Sequence, residues 1–126
     1  MERITRYRLS EDSRLPDTAS FDRVFEKAAR SRDKWFTVLC RRNDCEGNDF
    51  AAARLGLAIS KKQCKKANGR NRLKRIIRES FRHHQAGLAG LDIVVMNKAA
   101  ATDASNNALV ESLETHWQNC SDSRQE

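Results

Sequence analysis

Between positions 61 and 82 the sequence carries ten basic residues and one acid, Glu79. Five of the ten are arginines, Arg70, Arg72, Arg75, Arg78 and Arg82. A planar guanidinium fork is the side chain best matched to bidentate capture of phosphate oxygens. Lys74 lies among them, and Lys61, Lys62, Lys65 and Lys66 precede them. The whole chain of 126 residues holds 24 Lys and Arg against 17 Asp and Glu, a formal net charge of +7, so everything outside this segment sums to slightly acidic. The chemistry implied is the grip of a polyanion by one element of a nearly neutral domain.

Bond-breaking chemistry has thinner support. Asp44, Glu46 and Asp49 offer oxygen ligands to a hard cation, but an acidic stretch containing Gly47 also reads as an ordinary solvated turn. His83 and His84 are neighbours, so on a helix their rings diverge by about 100°, and His116 stands alone. Cys40, Cys45, Cys64 and Cys120 lack the second close pair or the His-x3-5-His that would close a tetrahedral zinc site. The N-terminus has no apolar core of secretory type, which predicts reduced thiols and a cytoplasmic protein. No apolar run is long enough to span a bilayer, and neither a P-loop nor a Gly-x-Ser-x-Gly elbow is present. Catalysis by this chain's own side chains is disfavoured.

The elements that must hold the basic residues are legible from periodicity. Residues 1–16, ending at Pro16, read as an irregular arm. Phe21, Val24, Phe25, Ala28 and Ala29 then recur at helical spacing behind the N-caps Asp17, Thr18 and Ser20, predicting a helix over 18–31. Alternation predicts two antiparallel strands, 35–40 and 54–60, joined by a polar loop at 43–49. A second helix is expected over 68–85, a buried strand over 91–97, and a third helix capped by Thr102 or Asp103 and carrying Leu109, Leu113 and Trp117. Residues 121–126 read as a polar tail, leaving one domain over 17–120. Helix, strands, helix, strand, helix is the order of an α+β two-layer sandwich with a small mixed sheet. On the second helix Leu73, Ile76, Ile77, Ser80 and Phe81 form a continuous stripe, while Asn71, Lys74, Arg75, Arg78 and Arg82 fall about 100° to 200° away. The like charges at 74, 78 and 82 repel along that ridge unless a partner neutralises them. A helix so committed to packing on one side suits surface docking on folded RNA better than entry into a DNA groove.

Ile59-Ser60-Lys61-Lys62, a short basic connector and the run Arg70-Asn71-Arg72-Leu73-Lys74-Arg75-Ile76-Ile77-Arg78-Glu79-Ser80-Phe81-Arg82 resemble the signature of the bacterial ribonuclease P protein subunit. Phe21-Asp22-Arg23-Val24-Phe25, Arg54-Leu55-Gly56-Leu57 and Asp92-Ile93-Val94-Val95 resemble that family's first-helix, central-strand and late-strand motifs, in the expected order. The resemblance implies a left-handed βαβ crossover, as in domain 2 of ribosomal protein S5. It also implies two partners, a large catalytic RNA and precursor tRNA, with no membrane and no obligate protein partner. The activity implied is removal of the 5′ leader from precursor tRNA, with the active site and its Mg²⁺ in the RNA. By the same resemblance Arg70, Asn71, Arg72, Lys74, Arg75, Arg78 and Arg82 dock on the catalytic RNA. A cleft lined by Phe21, Phe25, Phe36, Arg54, Lys61 and Lys62, with Ala58 and Ser60 on its strand face, would take the single-stranded leader. The chain departs from the family pattern at Cys40, where several relatives place an aromatic facing the leader, and at Gln63, Cys64, Asn68 and Gly69. Trp35 or Phe36 would have to compensate for Cys40. The alternative is a non-catalytic RNA-binding protein of the same architecture, such as a ribosomal protein.

Overall fold

The β-branched run Ile93-Val94-Val95 is apolar on both faces, so a strand built on it needs cover from two sides. In the computed structural model, which describes residues 18–26, 28–42 and 53–124, this run forms the middle of β4 (Leu91–Asn97), buried at six of its seven positions. Preceding it in the chain are α1 (Thr18–Glu26), β1 (Ala29–Arg32), β2 (Phe36–Arg42), β3 (Arg54–Ala58) and α2 (Ala67–His84), and α3 (Asn106–Arg124) follows it. The sheet order is β1-β2-β4-β3, antiparallel except for the parallel β3–β4 pair, which α2 connects. The result is the mixed sheet and α+β architecture expected from the order of elements.

Each face of the sheet has its own cover. Phe36, Val38 and Cys40 of β2, Leu55 of β3, and Ile93 and Val95 of β4 join Leu73, Ile77 and Phe81 of α2 and Leu109, Leu113 and Trp117 of α3 in the main core. Full burial of side chains of this size contributes about 1.5 to 3 kcal/mol each. On the reverse face Leu39 and Val94 meet Val24 of α1, with Phe21, Ala28, Ala58 and Met96 packed around them.

Several expected boundaries and one expected neighbour relation shift. The first helix stops at Glu26, and the residues assigned to its end form β1, because Arg30-Ser31-Arg32 alternates and Ser31 turns inward. Strands β2 and β3 run in opposite senses as expected but are not neighbours, since β4 inserts between them. Thr102 and Asp103 belong to a short 3-10 turn, and the third helix is capped instead by Ser105, whose Oγ accepts from the Ala108 amide at 3.1 Å. That helix continues through Arg124, so the first part of the expected polar tail is helical. The arm at 1–16 and the loop at 43–49 lie outside the described residues.

A polar cluster pins α3 to the β1–β2 turn. Asp33 Oδ1 accepts the amides of Trp35 (2.9 Å) and Phe36 (3.0 Å), and the Ser112 hydroxyl donates to its Oδ2. Buried His116 places Nδ1 2.6 Å from Ser31 Oγ, which also accepts from Asn119 Nδ2 at 2.9 Å. Its Nε2 lies 3.2 Å from Asp33 Oδ2, inside ion-pair range but without hydrogen-bond alignment. Burial works to raise the Asp33 carboxyl, yet the hydrogen bonds from Ser112, Phe36 and Trp35, with the nearby His116, hold it below its ordinary range. Cys40, Cys64 and Cys120 are buried free thiols, and a hydrogen bond with Cys40 together with burial pushes the Cys120 thiol up.

Candidate nucleic-acid interface

The exit of β3 is built to turn lysines outward. Buried Asn97 accepts the Ser60 amide at 2.7 Å, Ser60 Oγ accepts the Lys62 amide at 3.0 Å, and Ser60 O accepts the Cys64 amide at 3.0 Å. Cys64 is sunk in the main core, so Lys61, Lys62, Lys65 and Lys66 project from a connector anchored beneath them. A Cβ at Gly69 would come within 2.9 Å of Cys64 Sγ, which explains these two departures from the family pattern as one packing solution. α2 starts with Lys66 in the cap position, no side-chain cap and no acid in its first turn. The positive end of its dipole therefore adds to the lysine field.

Along α2 the basic side chains divide into two groups. Arg70 Nη1 donates to Cys64 O (3.0 Å) and Lys65 O (2.8 Å), closing the connector. Arg72 donates to Asn106 Oδ1 through Nε (3.1 Å) and Nη2 (2.9 Å), and to the carbonyls of Thr102 and Ala104, tying α2 to the approach of α3. Arg82, with its side chain 12% exposed, pairs with Glu79 at 2.6 Å. Lys74, Arg75 and Arg78, by contrast, have no hydrogen bond or ion pair with any described residue, and with exposed Asn71 they make up the open part of the ridge. Leu73, Ile77, Ser80 and Phe81 are buried as the wheel required.

The reverse face gives a different outcome for the expected cleft. Phe25 stands 40% exposed and Phe21 is half-buried against the smaller core, so α1 presents both rings in part, Phe25 the more open. Phe36 is a correction: it is completely buried on the opposite face, packed edge-on to His116, and forms no part of a cleft beside α1. Cys40 likewise points into the main core, and Leu39 holds the β2 position facing α1. Trp35 packs against the main core too, with Lys34 Nζ 5.7 Å from its ring centroid. Arg54 makes a bidentate pair with Asp92, both contacts at 2.8 Å, so it bolts β3 to β4. Lys61 and Lys62 stand exposed at the end of β3.

Two exposed cations on the α1 face were missed. Register places Arg30 opposite Leu39 and Arg32 opposite Thr37, which sets both on that face. The signal was the two-residue period of Arg30-Ser31-Arg32, hidden by the preceding helical stripe. Among the described residues no group of three His, Cys, Asp or Glu side chains is gathered as a metal site, and the acidic loop at 44–49 lies outside them. No described helix is long and apolar enough to cross a membrane.

The molecule is thus an α+β domain whose mixed sheet carries a basic helix on one face and a partly open, cation-edged surface on the other. The family model described as Ribonuclease P matches residues 9–121. The chain is 47% identical over 111 residues to the ribonuclease P protein component of Methylococcus capsulatus, covering 88% of this chain and 83% of that one. It is 41% identical over 118 residues to the corresponding protein of Vibrio cholerae, covering 94% and 96%. Among solved structures, the RNase P protein of Staphylococcus aureus superposes with a TM-score of 0.72 at 32% identity, over 82% of this chain and 90% of that one. The RNase P protein of Thermotoga maritima gives 0.71 at 30%, over 84% and 96%. The chain belongs to the ribonuclease P protein family.

Proposed function

We propose that this chain is the protein subunit of a ribonucleoprotein endonuclease that removes the 5′ leader from precursor tRNA in the cytoplasm. The catalytic RNA holds the active site and most of the Mg²⁺, and the protein supplies two surfaces. One is the α2 ridge, where Asn71, Lys74, Arg75 and Arg78 meet RNA phosphates while Arg70, Arg72 and Arg82 hold the connector and helix in shape. The other is the α1 face of the sheet, where Phe25 and part of Phe21 stack on leader bases and Lys61 and Lys62 follow its backbone. The observation that carries this reading is the division of labour on α2. Its apolar stripe is locked in the core, while three nearby cations have no partner among the described residues beside an uncapped, lysine-flanked N-terminus.

Reconstitution tests it. At near-physiological Mg²⁺ the cognate RNA should cut precursor tRNA at the mature 5′ end faster with this chain than without it, and the chain alone should cut nothing. Cleavage by RNA-free protein, or no stimulation of the RNA, refutes the proposal.

A further inference from the structure

We infer that Arg30 and Arg32 form a second phosphate contact at the β1 edge of the sheet, opposite Lys61 and Lys62, and that it engages only leaders long enough to cross the sheet. The inference rests on the leader-binding reading above and extends it to residues of β1. Strand register supplies the geometry. Arg32, Thr37, Met96 and Ala58 are successive partners across all four strands, so they form one row on the α1 face. Thr37, Met96 and Ala58 are only half-buried, and the chain leaving Ala58 reaches Lys61 three residues later. The row therefore has a shallow floor, with exposed Arg32 at its β1 end and, past the end of β3 at its other side, exposed Lys61 and Lys62. At about 4.8 Å between strands its length is about 14 Å, the span of about four nucleotides stacked at the ~3.4 Å rise of a single strand.

The charges are arranged as an unsatisfied pair. Arg30 and Arg32 are exposed, point to the same face two residues apart, and lie opposite Leu39 and Thr37 rather than an acid. Neither has a hydrogen bond or ion pair with any described residue. The row beyond Arg30, Leu39, Val94 and Gly56 shows the contrast, since there Asp92 is the partner of both Arg41 and Arg54 by register and takes Arg54 in a bidentate pair. Protection of an edge strand from aggregation would be met by charges on either face. Placement of both on the α1 face, at the sheet edge opposite the β3 strand that leads to the lysines, fits a backbone running across the sheet.

The test uses the reconstituted holoenzyme and precursor tRNAs with leaders of about two and about eight nucleotides. For the Arg30→Gln/Arg32→Gln double variant, affinity for the long-leader substrate should fall about fivefold, and its log affinity against log salt should flatten by about 0.7 per lost phosphate contact. The short-leader substrate should change much less, and Arg30→Lys/Arg32→Lys should retain most of the long-leader affinity. Equal losses at both lengths, or an unchanged salt slope, overturn the second contact while leaving the leader-binding reading intact. A wild-type holoenzyme indifferent to leader length overturns that reading, and this inference with it.

Discussion

Ser80 is a hydroxyl inside an apolar stripe, and its value lies in the group it satisfies. Its Oγ accepts the Trp117 indole N–H at 2.8 Å in the buried seam between α2 and α3, where the Trp117 ring packs edge-on to Phe81 at 5.7 Å. Ser80→Ala removes the acceptor and strands a buried donor, a loss of about 1 to 3 kcal/mol. Denaturant unfolding should register that loss while RNA affinity at low denaturant stays near wild type. Unchanged stability would mean that the indole finds another acceptor. Arg54 follows the same logic at the far end of the sheet: its bidentate grip on largely buried Asp92 ties β3 to β4, at a position for which the family resemblance implied leader binding. The helical wheel placed Ser80 on the buried side from sequence alone. The partner 37 residues away, like the one 38 residues from Arg54, is set by tertiary packing that no local period encodes.

At the scale of the element, the basic side chains of α2 fall into a group bonded within the fold and a group left open, and the proposed function assigns RNA binding to the second. Replacing Lys74, Arg75 and Arg78 together by Ala should leave folding nearly unchanged and weaken RNA binding, flattening its salt slope by about 0.7 to 0.9 per lost phosphate contact. Arg72→Ala should do the opposite, lowering the melting temperature because Asn106 and the carbonyls of Thr102 and Ala104 lose their donor. Melting curves and salt titrations of the two variants decide the matter, and similar profiles would remove the distinction. The stripe, the ridge, the second helix and the late strand were all legible because each is a local pattern of charge or burial. Phe36 was misjudged because a strand's period shows that alternate residues share a face but not which face meets which helix. β1 was lost because Phe21, Val24, Phe25, Ala28 and Ala29 continue a helical spacing past the point where tertiary contacts end the helix. The pairing of Ala29, Arg30, Ser31 and Arg32 with Cys40, Leu39, Val38 and Thr37 establishes the strand that this spacing hid.

Over the whole molecule, the basic elements stay on their scaffold through a few polar pins, and Asp33 is one whose carboxyl the fold holds below its ordinary range. Its carboxylate joins the β1–β2 turn to Ser112 and His116 of α3, while its backbone oxygen accepts Lys98 Nζ at 2.6 Å just past the end of β4. Because its folded pKa is depressed below that of the unfolded chain, near 3.9 for an ordinary Asp, its contribution is fully present above that value. It is lost as the pH falls through the lower folded pKa, where both states are protonated. Asp33→Asn keeps the size of the side chain but removes the charge, so the variant should be destabilised most near neutral pH, with the gap from wild type narrowing as the pH drops below about 4. Unfolding curves taken from pH 7 to pH 3 test this directly, and a gap that stays constant would show that Asp33 acts through shape alone. The same comparison separates the pin from global acid expansion. Self-repulsion of a chain already at +7 grows in wild type and variant alike as the other carboxylates protonate, and it cancels in the difference.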